Sequence, residues 1–261
     1  MNFDFSEEQN LLREQARRFL AENAEGKARS IIESDALFDR DLWRGMAELG
    51  WMGTVIPEEY GGIGLSHEDL CVIAEEIGRS IAPTPFSSSV YLATEALLLA
   101  GSDEQKEDFL PLIASGDIIG CFAHNEGTRK PAPESIETIY TDGKLTGEKN
   151  PVADGGVADF AVVLAKTPDG EPVLTLSLLD DVASETLETV DPSRSHARLR
   201  FDGTPAALIG DIGNGWTLSE RLLDRAAILF AFEQLGGAHW CLDMAVDYAR
   251  ERYAFGRPIG S

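Results

Sequence analysis

The chain has 261 residues, which suits one large domain or two smaller ones and is long enough to bury a substantial core. Its 45 acidic side chains outnumber 22 basic ones, a formal charge of −23 that argues against nucleic acid and anionic membrane surfaces as partners. Any anionic ligand must then be held by a few local arginines, not by long-range attraction.

The opening Met1-Asn2-Phe3-Asp4-Phe5 has neither a basic start nor an apolar core, and no apolar run is long enough to span a bilayer. Cys71, Cys121 and Cys241 are odd in number and far apart, which excludes a disulfide framework and any CxxC motif. The expectation is a cytoplasmic protein with buried, reduced thiols. His67, His124, His196 and His239 show no metal-ligand spacing, so no metal site is expected.

The first part reads as helices. Ser6 with Gln9 forms a capping box ahead of an apolar stripe of Leu12, Ala16, Phe19 and Leu20. Asp41 is placed to cap a second helix holding Leu42, Trp43, Met46 and Leu49, stopped by Gly50. Ser66 and Asp69 open a third, with Leu70, Ile73, Ala74 and Ile77 inward. A fourth covers Val90 to Ala100 and ends at Gly101. Asp103 caps a fifth, with Phe109, Leu112 and Ile113 inside.

Near Gly116 the period changes. Short apolar runs at Ile118–Ala123, Ala158–Ala165 and Val173–Leu179, and the alternation of Ala197, Leu199 and Phe201, predict strands punctuated by Gly and Pro. Helices followed by strands imply segregated α and β regions, not a wound α/β sheet. Trp216 to Arg252 then reads as one very long helix, apolar over much of its circumference and so expected to be covered by other helices. Gly210-Asp211-Ile212-Gly213-Asn214-Gly215 is glycine-rich but is no dinucleotide fingerprint, because no βαβ unit surrounds it.

Four segments carry a specific resemblance. They are Pro57-Glu58-Glu59-Tyr60-Gly61-Gly62-Ile63-Gly64-Leu65-Ser66, Gly101-Ser102-Asp103-Glu104-Gln105-Lys106 leading to Phe109-Leu110-Pro111, Gly147-Glu148-Lys149, and Tyr248 through Ile259. In this order they resemble motifs of the acyl-CoA dehydrogenase family, the third being the family's G-x-K turn. The resemblance implies an α+β multidomain fold: an N-terminal helical domain over residues 1–116, a middle β-barrel-like domain over 117–210, and over 211–261 the first long helix of a C-terminal bundle. The later bundle helices and the family's usual catalytic Glu have no counterpart in these residues.

The resemblance also implies chemistry. The family oxidises an acyl-CoA thioester to its trans-2-enoyl form with FAD. A carboxylate takes the α-proton, which needs a raised pKa in a dry pocket. Electrons generally pass to a separate electron-transfer flavoprotein. Arg252 and Phe255 match positions that reach a neighbouring subunit's FAD, and an Arg fork suits a pyrophosphate. Arg225 matches an Arg that helps hold the CoA nucleotide; a bundle salt bridge with Asp224 or Glu220 is the plainer reading. Asp224 matches the minority position of the catalytic base, with an ordinary surface Asp as its alternative. Glu126 keeps its place in the flavin loop, and Ala153 falls at a flavin-wall position.

Departures cluster where the flavin ring belongs. The loop His124-Asn125-Glu126-Gly127-Thr128-Arg129-Lys130 has lost most of T-E-P-x-x-G-S-D, with His124 a candidate substitute donor. Pro151-Val152-Ala153-Asp154 stands in place of W-I-[ST]-N. Decay of this kind resembles degenerate subunits of heteromeric acyl-CoA dehydrogenases, including those acting on steroid side chains. The expected partners are an acyl-CoA and a second dehydrogenase-like subunit, or a second copy of the chain. The alternative is a non-catalytic partner or scaffold without its own flavin.

Overall fold

The computed structural model describes residues 4–261; Met1, Asn2 and Phe3 of the opening segment lie outside it. The first part folds into α1 (Glu7–Asn23), α2 (Lys27–Ile32), α3 (Arg40–Glu48), α4 (His67–Ser80), a π-helical segment (Ser87–Thr94) that runs into α5 (Glu95–Ala100), and α6 (Asp103–Ala114). The boxes Ser6–Gln9 and Ser66–Asp69 cap α1 and α4 as expected. Two other caps move. Asp39, not Asp41, accepts from the Leu42 amide at 2.8 Å, and Ser102, not Asp103, makes the box with Gln105. A cap must sit just outside the helix with extended backbone, and Asp39 and Ser102 do so while Asp41 and Asp103 are already inside the first turn. Leu49 and Leu112, expected inward, are 48% and 43% exposed. The six-residue α2 is too short to announce itself by periodicity.

The second part is an eight-stranded sheet: β1 (Gly120–Ala123), β2 (Ile139–Thr141), β3 (Lys144–Ala153), β4 (Phe160–Lys166), β5 (Pro172–Leu178), β6 (Ala183–Thr186), β7 (His196–Pro205) and β8 (Ala207–Ile209). Its hydrogen-bonded path runs β6-β7-β3-β2-β4-β5-β8, with β1 beside β4. The sheet curls until β5 meets β7, where Ser177 Oγ donates to the Pro205 carbonyl at 2.9 Å. The apolar run of β4 is explained by burial on both faces. Phe160, Val162 and Leu164 face a core shared with α5 and α6, whereas Ala161, Val163 and Ala165 face a second core with Leu199 and Phe201 of β7. The segment Gly147-Glu148-Lys149, expected as a turn, lies inside β3 and pairs with Phe201, Arg200 and Leu199 of β7.

The long helix α7 spans Gly215–Glu251, 37 residues or about 55 Å of rise. It lies against α4, and the two run the same way. Gly78 and Gly236 let their backbones touch: a methyl group on Gly236 would meet the Glu75 carbonyl oxygen at 1.8 Å, and one on Gly78 the Glu233 carbonyl oxygen at 2.0 Å. Beyond this crossing every residue from Ala238 to Tyr248 is exposed. The helix ends in a small hairpin of β9 (Tyr253–Ala254) and β10 (Arg257–Pro258). Phe255 and Gly256 form its turn with φ of 54° and 80°, the pairing expected of a two-residue type I′ loop.

Replacing Gly236 by Ala should therefore destabilise the protein by about 1–3 kcal/mol through overpacking. Denaturant unfolding of the variant is the check; an unchanged midpoint would show that the helices can separate at little cost.

Candidate functional site

Lys149, on β3, is fully buried, and its ammonium lies 2.6 Å from Glu126 Oε1 and 3.4 Å from the His124 carbonyl. Burial pushes Lys149 down to about 8, against the pull of Glu126. Burial also works to raise the Glu126 carboxyl, but Lys149 and the Thr138 donors together hold it below the usual range. Glu126 accepts from the amides of Glu137 and Thr138 at 2.6 and 3.0 Å and from Thr138 Oγ1 at 2.7 Å. Its oxygens are thus engaged in pinning the loop 124–138 to β3. The loop borders a cleft of about 290 Å³ lined by His124, Glu126, Arg129, Ser135 and Glu137. The His124 ring packs between Phe122 and Trp216, and burial holds its pKa down, which favours the neutral imidazole.

Ala153 ends β3 and offers no side-chain donor or aromatic face. Its carbonyl accepts from Ser88 Oγ at 3.4 Å. Asp154, next in sequence, adopts φ 55° and is buried. Its carboxyl meets Ser88 Oγ at 2.6 Å and Ser195 Oγ at 2.9 Å; burial pushes its pKa up and the two serines oppose that. One residue earlier in the π-helical segment, Ser87 accepts from Arg194, which is also paired with Glu233 of α7. A buried polar seam therefore joins the π-helical segment, the sheet and α7. Lys149, Asp154 and Arg194 stand out only in the folded protein, where burial makes their charges matter.

Along α7 the remaining residues separate. Asp224 is exposed. Arg225 pairs with neither Asp224 nor Glu220 but with Glu95 of α5, a carboxylate only 4% exposed. The second Glu95 oxygen meets His67 Nε2 at 2.9 Å. A single charged residue within the apolar run Val90–Ala100 is the sequence signal that could have singled out Glu95. Arg252 is exposed at the far end of α7, and Phe255 projects fully into solvent from the hairpin turn. His124 contacts Trp216 at the first turn of α7, so Glu126 and Arg252 lie toward opposite ends of a helix about 55 Å long. Cys71 and Cys121 are buried as expected, whereas Cys241 is exposed. Among the described residues no cluster of His, Cys, Asp or Glu is built to hold a metal, and no helix is long and apolar enough to cross a membrane.

A helical domain, a curled sheet and a long following helix make up the architecture of the acyl-CoA dehydrogenases. The family model for the acyl-CoA dehydrogenase N-terminal domain matches residues 6–117, and that for the C-terminal domain matches residues 213–261. The chain belongs to the acyl-CoA dehydrogenase family. It is 35% identical to the acyl-CoA dehydrogenase IpdE2 of Mycolicibacterium smegmatis, covering 98% of this chain and 69% of that protein. Among solved structures, the ChsE4-ChsE5 complex of Mycobacterium tuberculosis matches at 28% identity and a TM-score of 0.86, over 100% of this chain and 71% of that one. An acyl-CoA dehydrogenase of Bacillus anthracis complexed with FAD matches at 26% identity and a TM-score of 0.89, over 98% and 46%.

Glu126→Gln should cost about 3–5 kcal/mol at neutral pH, because it leaves the Lys149 ammonium buried without a counter-charge. The Glu126 contribution is present above the ordinary carboxylate pKa and is lost as the pH falls through its lowered folded value. The difference between wild type and variant should shrink as the pH rises toward 8, since the unpaired Lys149 discharges first. Unfolding measured from pH 6 to 8 tests this; a loss below 1 kcal/mol throughout would mean that the pair adds no stability.

Proposed function

We propose that this chain acts as one subunit of a heteromeric, FAD-dependent acyl-CoA dehydrogenase, and that it completes a flavin site seated on a second subunit. The observation that carries this reading is the separation of its cofactor candidates. Glu126 lies in the loop 124–138, beside the His124 ring that packs on Trp216 at the first turn of α7, and Ala153 ends β3, whereas Arg252 and Phe255 stand at the other end of that helix, too far for one dinucleotide to touch both Glu126 and Arg252.

The sheet residues do not fit a flavin of the chain's own. Glu126 has its carboxylate filled by Lys149, Thr138 and the Glu137 amide. Ala153 supplies neither a hydroxyl nor an aromatic wall. Arg252 and Phe255 do fit a contribution in trans: an exposed guanidinium for a pyrophosphate and an exposed ring for stacking. Phe255 is held out by a turn that puts a bulky side chain at positive φ, a conformation favoured by Gly, Asn and Asp.

In this proposal the second subunit supplies the base that removes the α-proton of the acyl-CoA, and electrons leave to a separate electron-transfer flavoprotein. Asp224 is exposed, without the dry pocket a general base of this kind needs. Arg225, beside it, holds the CoA nucleotide.

Co-expression with a second dehydrogenase-like chain should give a yellow complex. Arg252→Ala and Phe255→Ala should each lower its FAD content severalfold while the two chains still co-purify. Visible absorption of the purified complexes decides the matter, and an unchanged flavin-to-protein ratio in both variants would remove the role in trans. Asp224→Asn should leave turnover of the complex within about twofold; loss of turnover would make Asp224 the base.

A further inference from the structure

Glu95 is an unusual residue for its place. It begins α5 directly after the π-helical segment, and its neighbours Ala96 and Leu97 belong to the apolar core. A π-helical turn admits an extra residue and so resets the phase of the helix that follows, a device frequent at functional sites. Here the reset delivers a carboxylate, 4% exposed, to the junction of α4, α5 and α7. Both oxygens are used: one by Arg225 Nη1 and the other by His67 Nε2 at 2.9 Å. Arg225 and His67 themselves are 45% and 49% exposed. Arg225 has five N–H donors in a rigid fork, so donors remain for a ligand in solvent. A buried anchor thus holds two half-exposed nitrogen groups side by side.

We propose that His67, Glu95 and Arg225 form a graded anion grip for the nucleotide phosphates of an acyl-CoA, in which Glu95 is the positioning residue and His67 sets the charge. This rests on the reading of Arg225 as a CoA contact and adds its regulation. With neutral His67 the Arg225–Glu95 pair sums to zero, and the grip is hydrogen bonding alone. With protonated His67 the cluster carries one positive charge, in a molecule whose net charge of −23 offers anions no other general attraction. The hydrogen bond that His67 makes to the Glu95 carboxylate raises the His67 pKa, against its partial burial; Arg225 opposes the shift and Glu68 adds to it. Burial acts to raise the Glu95 carboxyl, but His67 and Arg225 hold it low, so it stays ionised while His67 titrates. The charged groups acting on His67 are therefore Glu68 on α4, Glu95 on α5 and Arg225 on α7.

Linkage makes the proposal testable from either side. If His67 protonation strengthens CoA binding, bound CoA must raise the His67 pKa by the same free energy. The experiment uses the co-expressed complex and coenzyme A as the probe. Affinity is measured by calorimetry at pH 6 and pH 8, and His67 is followed by NMR with and without saturating CoA. His67→Asn, checked for an unchanged melting temperature, serves as the reference, since it shares every titration of the ligand itself. The expected result is a pH 6 to pH 8 affinity ratio on the order of three- to tenfold larger in the wild type than in His67→Asn, from one added charge at close range. The His67 midpoint should rise on adding CoA. In Glu95→Gln it should fall toward the ordinary value and no longer respond to CoA, a readout that a merely structural role would not move. CoA binding with the same pH dependence in wild type and His67→Asn, and an unmoved His67 midpoint, would overturn the grip while leaving Arg225 as a CoA contact. Absence of CoA binding at the Arg225 site, shown by equal affinity in Arg225→Ala, would overturn the reading of Arg225 and the grip with it.

Discussion

At Gly78 and Gly236 two helix backbones come into contact, and much of the molecule is arranged around that approach. A single Cβ on either residue would strike a carbonyl oxygen of the other helix. With the helices this close, side chains on either side of the crossing meet across it. His239 of α7 reaches Glu75 of α4 at 3.1 Å, and Arg79 reaches Asp243 at 2.7 Å. On the other side Glu233 meets Arg194 from the loop before β7, and Arg225 meets Glu95. The crossing therefore fixes α7 against both the helical part and the sheet.

The buried polar groups follow from this closeness. Glu75, Glu76, Glu95, Glu233, Lys149 and Asp154 all lie inside the protein, a costly choice unless each finds a partner. Partners are found mostly across element boundaries: Arg17 with Glu76, Lys149 with Glu126, Ser88 with Asp154. Such pairs add modestly to stability, but breaking one leaves a buried charge uncompensated. The contacts of Asp154 with Ser88 and Ser195, and of Arg194 with Ser87, tie the π-helical segment, the end of β3 and the loop before β7 into one junction. That junction is where the family resemblance places the flavin wall, and here it is filled by contacts of the protein with itself.

Many of the exposed large apolar side chains lie on α7 and the hairpin beyond it, including Trp240, Leu242, Met244, Tyr253 and the fully exposed Phe255. In the proposed function it is the exposed residues of this region, Arg252 and Phe255 among them, that serve a second chain.

The sequence by itself determined the kinds of element and their order. Period and capping are local properties, so the boxes at Ser6 and Ser66, the alternation on β7 and the length of α7 were all legible, as were the family motifs. Caps at Asp39 and Ser102 were misplaced by one or two residues, because several acidic or hydroxyl side chains compete near a helix start and only backbone conformation chooses among them. What the tertiary structure alone decided is which charges meet. Glu95 and Arg225 are 130 residues apart in sequence, and Arg194 and Glu233 are 39 apart. No periodic pattern encodes such a pairing. It arises when glycines let two helices touch and burial then makes every unpaired charge expensive.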